Sequence, residues 1–348
     1  MLKPDDRLAI FLHNGLKGAK GKTGISLLRY SRNEIVALID ETAVGESVKA
    51  LTGIDRAVPV VKSVEEAIAL NPTVLAIGLA PSGGVLPEPW YAEVKQAVKA
   101  GLSVMNGLHT QMNEDLEITS SIHPNRWVWD IRQEPKGLTV GGGRARLLEC
   151  DRILTVGTDM AIGKMSTSLE LVRASKKRGV KAKFIATGQT GLMLGEDGVA
   201  LDAVKVDYAA GAVEQSVLRC GNDYDALFVE GQGSLLNPGS TATLPLLRGT
   251  QPTHLILVHK AGLTHLQHFP DFQIPPLRKV VELYESVAYA GGTFAATPMS
   301  GIALNTFGLN EKEARRAIAV ASEETGLPCT DVVRFGAEPL LASILDER

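Results

Sequence analysis

The chain has little that would mark it for a membrane, a disulfide scaffold or a nucleic acid. No apolar stretch approaches the roughly 20 residues needed to span a bilayer. Only three cysteines occur, Cys150, Cys220 and Cys329, far apart and with no C-x-x-C pair. That argues against a disulfide framework or a cysteine zinc site and fits reduced thiols in the cytoplasm. An excess of charge of one sign is also lacking: 36 Lys and Arg meet 39 Asp and Glu for a formal net charge of -3, which argues against a broad basic surface for nucleic acid. The opening MLKPDDRLAIFLHNG has a short apolar run broken by His13 and Asn14, and reads as a first strand rather than a signal peptide. The expectation is a cytoplasmic protein with no membrane and no nucleic-acid partner.

What is present is alternation. Apolar runs at Leu8–His13, Ile35–Asp40, Val58–Val61, Val74–Ala80 and Ser103–Met105 are separated by amphipathic stretches such as Ser63–Leu70 and Trp90–Gly101. Strands alternating with helices of this length predict a parallel sheet wrapped by helices. The segment QEPKGLTVGGGRAR, Gln133–Arg146, interrupts the pattern with one proline and four glycines. After it the pattern restarts with Arg152–Val156, strands ending near Thr187, Glu230 and His259, a helix over Leu277–Ala290, a strand at Gly301–Thr306 and a helix over Glu311–Gly326. A chain of 348 residues suits two domains of roughly 150. We therefore expect an α/β protein of two doubly wound parallel sheets, the first over residues 1–140 and the second over 141–348.

Two strings compete as phosphate loops. GLKGAKGKT (Gly15–Thr23) and GTDMAIGKMST (Gly157–Thr167) each read Gly, five residues, then Gly-Lys, but the second has Met165 at the place where the first has a hydroxyl residue. A phosphate loop works by converging backbone N–H groups on an anion at a helix N-terminus, so it needs a strand before it and a full helix after it. After Lys164 comes about four turns of amphipathic helix, stopped at Gly179. After Lys22, Gly24 disfavours helix and Asn33 ends it within about two turns. The Gly157 loop is the better anion cradle, with Gly157, Thr158, Gly163, Lys164, Met165, Ser166 and Thr167 as its binding residues. The Gly15 loop, with Lys17, Lys20 and Lys22, reads either as a solvated basic turn or as a second anion contact.

The wording of the second loop resembles dethiobiotin synthetase and its relatives, and FVEGQGSL (Phe228–Leu235) looks like the Val-Glu-Gly segment of that group. The resemblance implies a magnesium role for Glu230 and an ATP/Mg-dependent ligase or kinase. Met165 departs from it, because a thioether is no hard oxygen ligand; Ser166 or Thr167 would have to take over, or no metal binds there. A second resemblance covers nearly the whole chain. HNGLKGAKGKTG, GTDMAIGKMSTSLEL, ATGQTG, VDYAAGAVE, VEGQGSLLNPG and the GIALNT strand are similar to the D-glutamate N-acetyltransferase family, long carried as a domain of unknown function. This implies a Rossmann-like N-terminal and a P-loop C-terminal domain, with acetyl-CoA as the cosubstrate and an acidic D-amino acid as the small-molecule substrate. On that reading the loop cradles the phosphates of CoA. A non-catalytic nucleotide or CoA sensor is the rival from another class.

Acetyl transfer to an amine needs a base, oxyanion donors and partners for the substrate carboxylates. The candidate bases are Asp159, Asp207 and Glu230; Asp207 could equally be the N-cap of a helix over Tyr208–Leu218. In ATGQTG, Thr187, Gln189 and Thr190 offer hydroxyl, amide and N–H groups for substrate. His254, His259, His265 and His268 cluster in sequence, and His265 and His268 could share a helix face. With no third ligand at a typical spacing, the expectation is no metal site. Asp40 lies where dinucleotide-binding folds put a ribose-binding acid, but the first turn does not match G-x-G-x-x-G, which weakens NAD. Trp127 and Trp129 alternate as packing residues of a strand would. A homo-oligomer, most simply a homodimer, is expected for such folds.

Overall fold

The computed structural model describes residues 2–81 and 84–346. It divides into two compact units: Met1–Gln133 with Gln189–Glu196, and Glu134–Gly188 with Asp197–Arg348.

The first unit holds strands β1 (Arg7–Phe11), β2 (Glu34–Ile39), β3 (Val60–Val61), β4 (Val74–Ile77), β5 (Ser103–Asn106) and β6 (Val128–Asp130). They form one sheet in the order β3-β2-β1-β4-β5-β6, every pair parallel. Helices α1 (Lys22–Tyr30), α2 (Val48–Thr52), α3 (Val64–Ile68), α4 (Glu88–Lys99) and α5 (Leu116–Ser120) supply the crossovers. The strand order reverses between β1 and β4, the switch point at which open α/β sheets bind ligands. All four residues of β4 and of β5 are buried, as strands covered on both faces must be. Trp127 and Trp129 pack, half-buried, on the cluster that contains Met105 and Ile131.

The second unit repeats the plan with a different winding. Its strands are β7 (Asp151–Gly157), β8 (Ala182–Ile185), β9 (Ala226–Val229) and β10 (His254–Lys260), then an antiparallel hairpin of β11 (His265–Leu266) and β12 (Phe269–Gln273), then β13 (Met299–Asn305) and β14 (Cys329–Thr330). The sheet order is β14-β13-β10-β7-β9-β8, again all parallel. Helix α6 (Lys164–Lys177) comes directly after the β7 loop. The short helix α7 (Gln189–Met193) belongs to the first unit, where Met193 is buried in the cluster with Leu12 and Leu16. Helices α8 (Val206–Gly221), α9 (Thr243–Thr250), α10 (Leu277–Tyr289), α11 (Glu311–Thr325) and α12 (Glu338–Leu345) complete the unit. Both sheets are the doubly wound parallel type that the alternation predicts. No helix among the described residues is long and apolar enough to cross a membrane.

The segment after the Gly15 loop departs from its propensity. Helix α1 is short and stops at Tyr30, before Asn33 as expected, but Gly24 sits inside it, because the helix must lie against the strands beneath it. A Cβ there would come within 2.6 Å of Leu12 Cδ2 and 2.9 Å of Ile10 Cγ2, while the Gly24 N–H donates to the Gly78 carbonyl at 2.9 Å. Close approach overrides the cost of glycine in a helix, which is about 1 kcal/mol. Gly24→Ala should therefore destabilise the protein by about 1–3 kcal/mol through overpacking. A urea midpoint equal to that of the wild type would show that Leu12 and Ile10 can give way.

Candidate functional site

The Gly157 loop leaves the carboxyl end of β7, the middle strand at which the second sheet reverses direction, and leads directly into α6. Helix α6 runs 14 residues and has no side-chain cap, so the N–H groups of its first turn remain available to an anion. Strand, loop and long helix are thus the arrangement an anion cradle requires.

The loop's shape depends on Asp159, which is fully buried. Its Oδ1 accepts from the Met160 N–H at 2.7 Å and from Asn237 Nδ2 at 2.8 Å, and its Oδ2 accepts from the Gln267 N–H at 2.8 Å. Burial alone would raise this carboxyl, but the donors from Gln267, Asn237 and Met160 outweigh it and hold the group below the usual range. The side chain therefore points away from the cradle, into the segment after β9 and the β11–β12 hairpin. Lys164 Nζ donates to the Asp159 carbonyl at 2.7 Å, which centres its charge in the loop. Burial lowers the Lys164 ammonium to about 8, with Asp159 and Glu230 opposing the fall.

Further contacts brace the loop. Asn305 Nδ2, at the end of β13, donates to the Ile162 carbonyl at 2.9 Å. Tyr284 Oη donates to the Gly157 carbonyl at 2.7 Å and accepts from the Leu235 N–H at 3.0 Å. Thr158 Oγ1 shares a 2.8 Å hydrogen bond with His259 Nδ1. Burial drives the His259 ring down to about 4, so it is neutral near pH 7. Of the two hydroxyls after Met165, Thr167 Oγ1 is spent on the Gly163 carbonyl at 3.1 Å, and Ser166 is half-buried in the first turn of α6.

Glu230 ends β9 beside this lysine. Its Oε2 accepts from the Thr187 N–H at 2.9 Å and the Gly188 N–H at 3.2 Å, and Thr187 Oγ1 donates to the Glu230 carbonyl at 2.7 Å. Burial pushes the Glu230 carboxyl up to about 7, against the pull of those two N–H groups and of Lys164. Gly231 is required next in sequence, because a Cβ there would lie 1.8 Å from the Thr155 carbonyl oxygen and 2.9 Å from Lys164 Cδ. The carboxyl of Glu230 thus sits at the edge of protonation near neutral pH, which suits a group that takes and returns a proton.

Several expected residues fall elsewhere. Asp207 is not the N-cap of its helix: Lys205 holds that place, and Asp207 is exposed in the first turn of α8, where its charge complements the helix dipole. ATGQTG does not act as one segment. Thr187 belongs to the second unit at Glu230, whereas Gln189 and Thr190 lie in α7 with the first unit, Thr190 Oγ1 being 3.3 Å from Thr23 Oγ1. His265 and His268 do not share a helix face, because His265 lies in β11 and His268 in the turn of the β11–β12 hairpin. Asp40 is taken up by the Gly15 loop, accepting from the N–H groups of Asn14 at 3.1 Å and Leu16 at 3.0 Å, so it is not presented to a ribose. That loop is neither wholly solvated nor wholly ordered by charge: Gly15 and Leu16 are buried while Lys17, Lys20 and Lys22 stay exposed.

Gln267 and Tyr284 lie in no string that the sequence singles out, whereas Asn237 and Asn305 lie in VEGQGSLLNPG and GIALNT, whose wording marks the segments but not these side chains. Asn237 Oδ1 also accepts the Gly239 N–H at 2.9 Å, which closes the turn that presents its amide to Asp159.

Comparison with known proteins agrees with this organisation. Residues 139–341 match the P-loop domain of a family described as a domain of unknown function, DUF1611, and residues 41–134 match its Rossmann-like domain. The crystal structure of a DUF1611 family protein from Anabaena variabilis ATCC 29413 is 58% identical, with a TM-score of 0.96 over 98% of this chain and 100% of that one. Two proteins named D-glutamate N-acetyltransferase are also similar. One from Pseudoalteromonas sp is 33% identical over 81% of this chain and 84% of its own length. One from Tritonibacter scottomollicae is 34% identical over the same shares.

The Asp159 cluster gives a direct expectation. Asp159→Ala strands three donors from three segments, and should cost about 2–4 kcal/mol of stability. An unchanged urea midpoint would show that the loop keeps its shape without this carboxylate.

Proposed function

This chain belongs to the DUF1611 family, and from that premise we propose that it transfers the acetyl group of acetyl-CoA to the amino group of D-glutamate. The observation that carries the proposal is the match, over 81% of the chain, to two relatives bearing that activity in their names. The chemistry of the loop supports it. Both oxygens of Asp159 are engaged by N–H donors, Oε2 of Glu230 accepts two more, Met165 offers no hard ligand and Thr167 is tied to its own helix. Met165, standing where a hydroxyl ligand of a Mg-nucleotide site is expected, speaks against the metal-dependent reading. The loop does fit metal-free binding of the CoA phosphates by the first turn of α6 and Lys164.

In the proposed reaction Glu230 takes one proton from the substrate ammonium. The free amine attacks the thioester carbonyl, a C–N bond forms, and the C–S bond breaks with its electron pair leaving on sulfur. The second nitrogen proton goes to that thiolate, giving the CoA thiol, and Glu230 returns its proton to solvent. Lys164 stays charged on the phosphates throughout. Asp159, held ionised by its donors, shapes the loop rather than acting as the base, and Asp207 has no part at the loop. A cytoplasmic location belongs to the same proposal, because acetyl-CoA is a cytoplasmic metabolite, and we propose a homo-oligomer as the common state of such folds.

The test is thiol release from acetyl-CoA on addition of D-glutamate. A complete lack of release with every acidic amino acid, of either hand, would end the proposal. For an active enzyme, kcat/KM should rise with pH as Glu230 ionises near 7 and fall as Lys164 loses its proton near 8. Glu230→Gln should lose the rising limb and about 100-fold or more in rate. A rising limb that survives in the variant would assign the base elsewhere.

A further inference from the structure

A pocket of about 770 Å³ opens in the second unit; no residue of the Gly157 loop lines it, but its lining residue His259 is hydrogen-bonded to that loop, and the proton transfers of Glu230 make no use of it. Its floor is His259 of β10 and Leu304 of β13, so it sits at the same carboxyl edge of the sheet as the loop. One wall is the segment around Leu263 and Ile274, and the other is the face of α11 that carries Ala317 and Val320. The lining is mostly carbon. Its ionisable groups are Glu313, Glu324, Arg316 and the neutral His259, so carboxylates outnumber cations.

Two properties decide what this pocket suits. The balance of charge disfavours a dicarboxylate such as glutamate, which would meet two carboxylates and one guanidinium. A largely apolar lining with a few polar groups instead suits an uncharged, amphipathic chain. The pocket is also tied to the loop by a single residue. His259 lines it, and its Nδ1 is 2.8 Å from Oγ1 of Thr158, the second residue of the loop. With Nδ1 engaged, Nε2 is the ring nitrogen left for a ligand, and it makes no hydrogen bond to any described residue.

Resting on the acetyl-CoA reading, we propose that this pocket holds the pantetheine arm of acetyl-CoA, continuing from phosphates seated on the Gly157 loop. The arm carries two amides and no charge, so apolar walls and one neutral ring donor or acceptor meet its needs. His259 is then a positioning residue that couples the arm to the loop through Thr158.

The test separates the arm from the phosphates. The probes are acetyl-CoA and 3′-phosphoadenosine 5′-diphosphate, which has the phosphates without the arm. Val320→Trp and Ala317→Trp each place an indole in the pocket; Val320 is 55% exposed, so its variant keeps the core intact. Both should weaken acetyl-CoA at least tenfold by calorimetry, with the affinity of the bisphosphate nucleotide changed less than twofold. Wild-type affinity for acetyl-CoA in both variants would overturn the pantetheine pocket and leave the acetyltransferase reading standing. A rise in KM for D-glutamate with acetyl-CoA unaffected would overturn it in favour of the acceptor. Wild-type protein that binds neither probe would remove the reading beneath it and overturn both.

Discussion

The second unit is organised around one buried carboxylate. Asp159 lies inside the loop that we propose cradles phosphate, where an unpaired negative charge would repel the ligand. The fold resolves this by turning the side chain away and surrounding it with N–H donors from its own loop, from Asn237 and from the β11–β12 hairpin. Its backbone carbonyl meanwhile holds the Lys164 ammonium. One residue therefore ties three stretches of chain together and sets the position of the cation. Glu230, with the opposite shift of acidity, completes the arrangement from the neighbouring strand.

The first unit uses the same device at its own first loop. Asp40, fully buried at the end of β2, accepts the N–H groups of Asn14 and Leu16 and so fixes the turn after β1. In both units a strand-end or loop carboxylate is consumed in shaping a glycine-rich turn rather than presented to a ligand. The two turns differ in the helix that each one opens. Helix α6 has 14 residues and a buried lysine at its start, whereas α1 has 9 residues and begins with an exposed Lys22. Between two strings with the same spacing, the length of the helix and the burial of its first lysine mark out the Gly157 loop as the better anion cradle.

Much of this was legible in the sequence because parallel strands buried on both faces must read as apolar runs. The two doubly wound sheets, and the strand-loop-helix setting of Gly157–Lys164, come from that pattern. The shortness of α1 was legible, whereas the place of Gly24 inside it was not, because propensity speaks for an isolated helix while the contact with Leu12 and Gly78 is tertiary. The passage of Gln189–Glu196 into the first unit left no mark in composition, since its buried residues look alike in either core. The roles of Asn237 and Gln267 were not legible for a related reason, although Asn237 lies in the VEGQGSLLNPG string. These residues reach Asp159 across 78 and 108 positions, and single polar residues in loops show no periodicity. His265 and His268 suggested a helix by spacing alone, and the proline and turn residues around them make a hairpin instead.

The central claim is that the Gly157 loop binds the phosphates of CoA without a metal. Titration calorimetry of CoA in EDTA tests it most directly, with Lys164→Ala as the partner measurement. Binding that persists in EDTA and weakens at least tenfold in the variant is the result the account requires. Binding of ATP only in the presence of magnesium, with none of CoA, would contradict it.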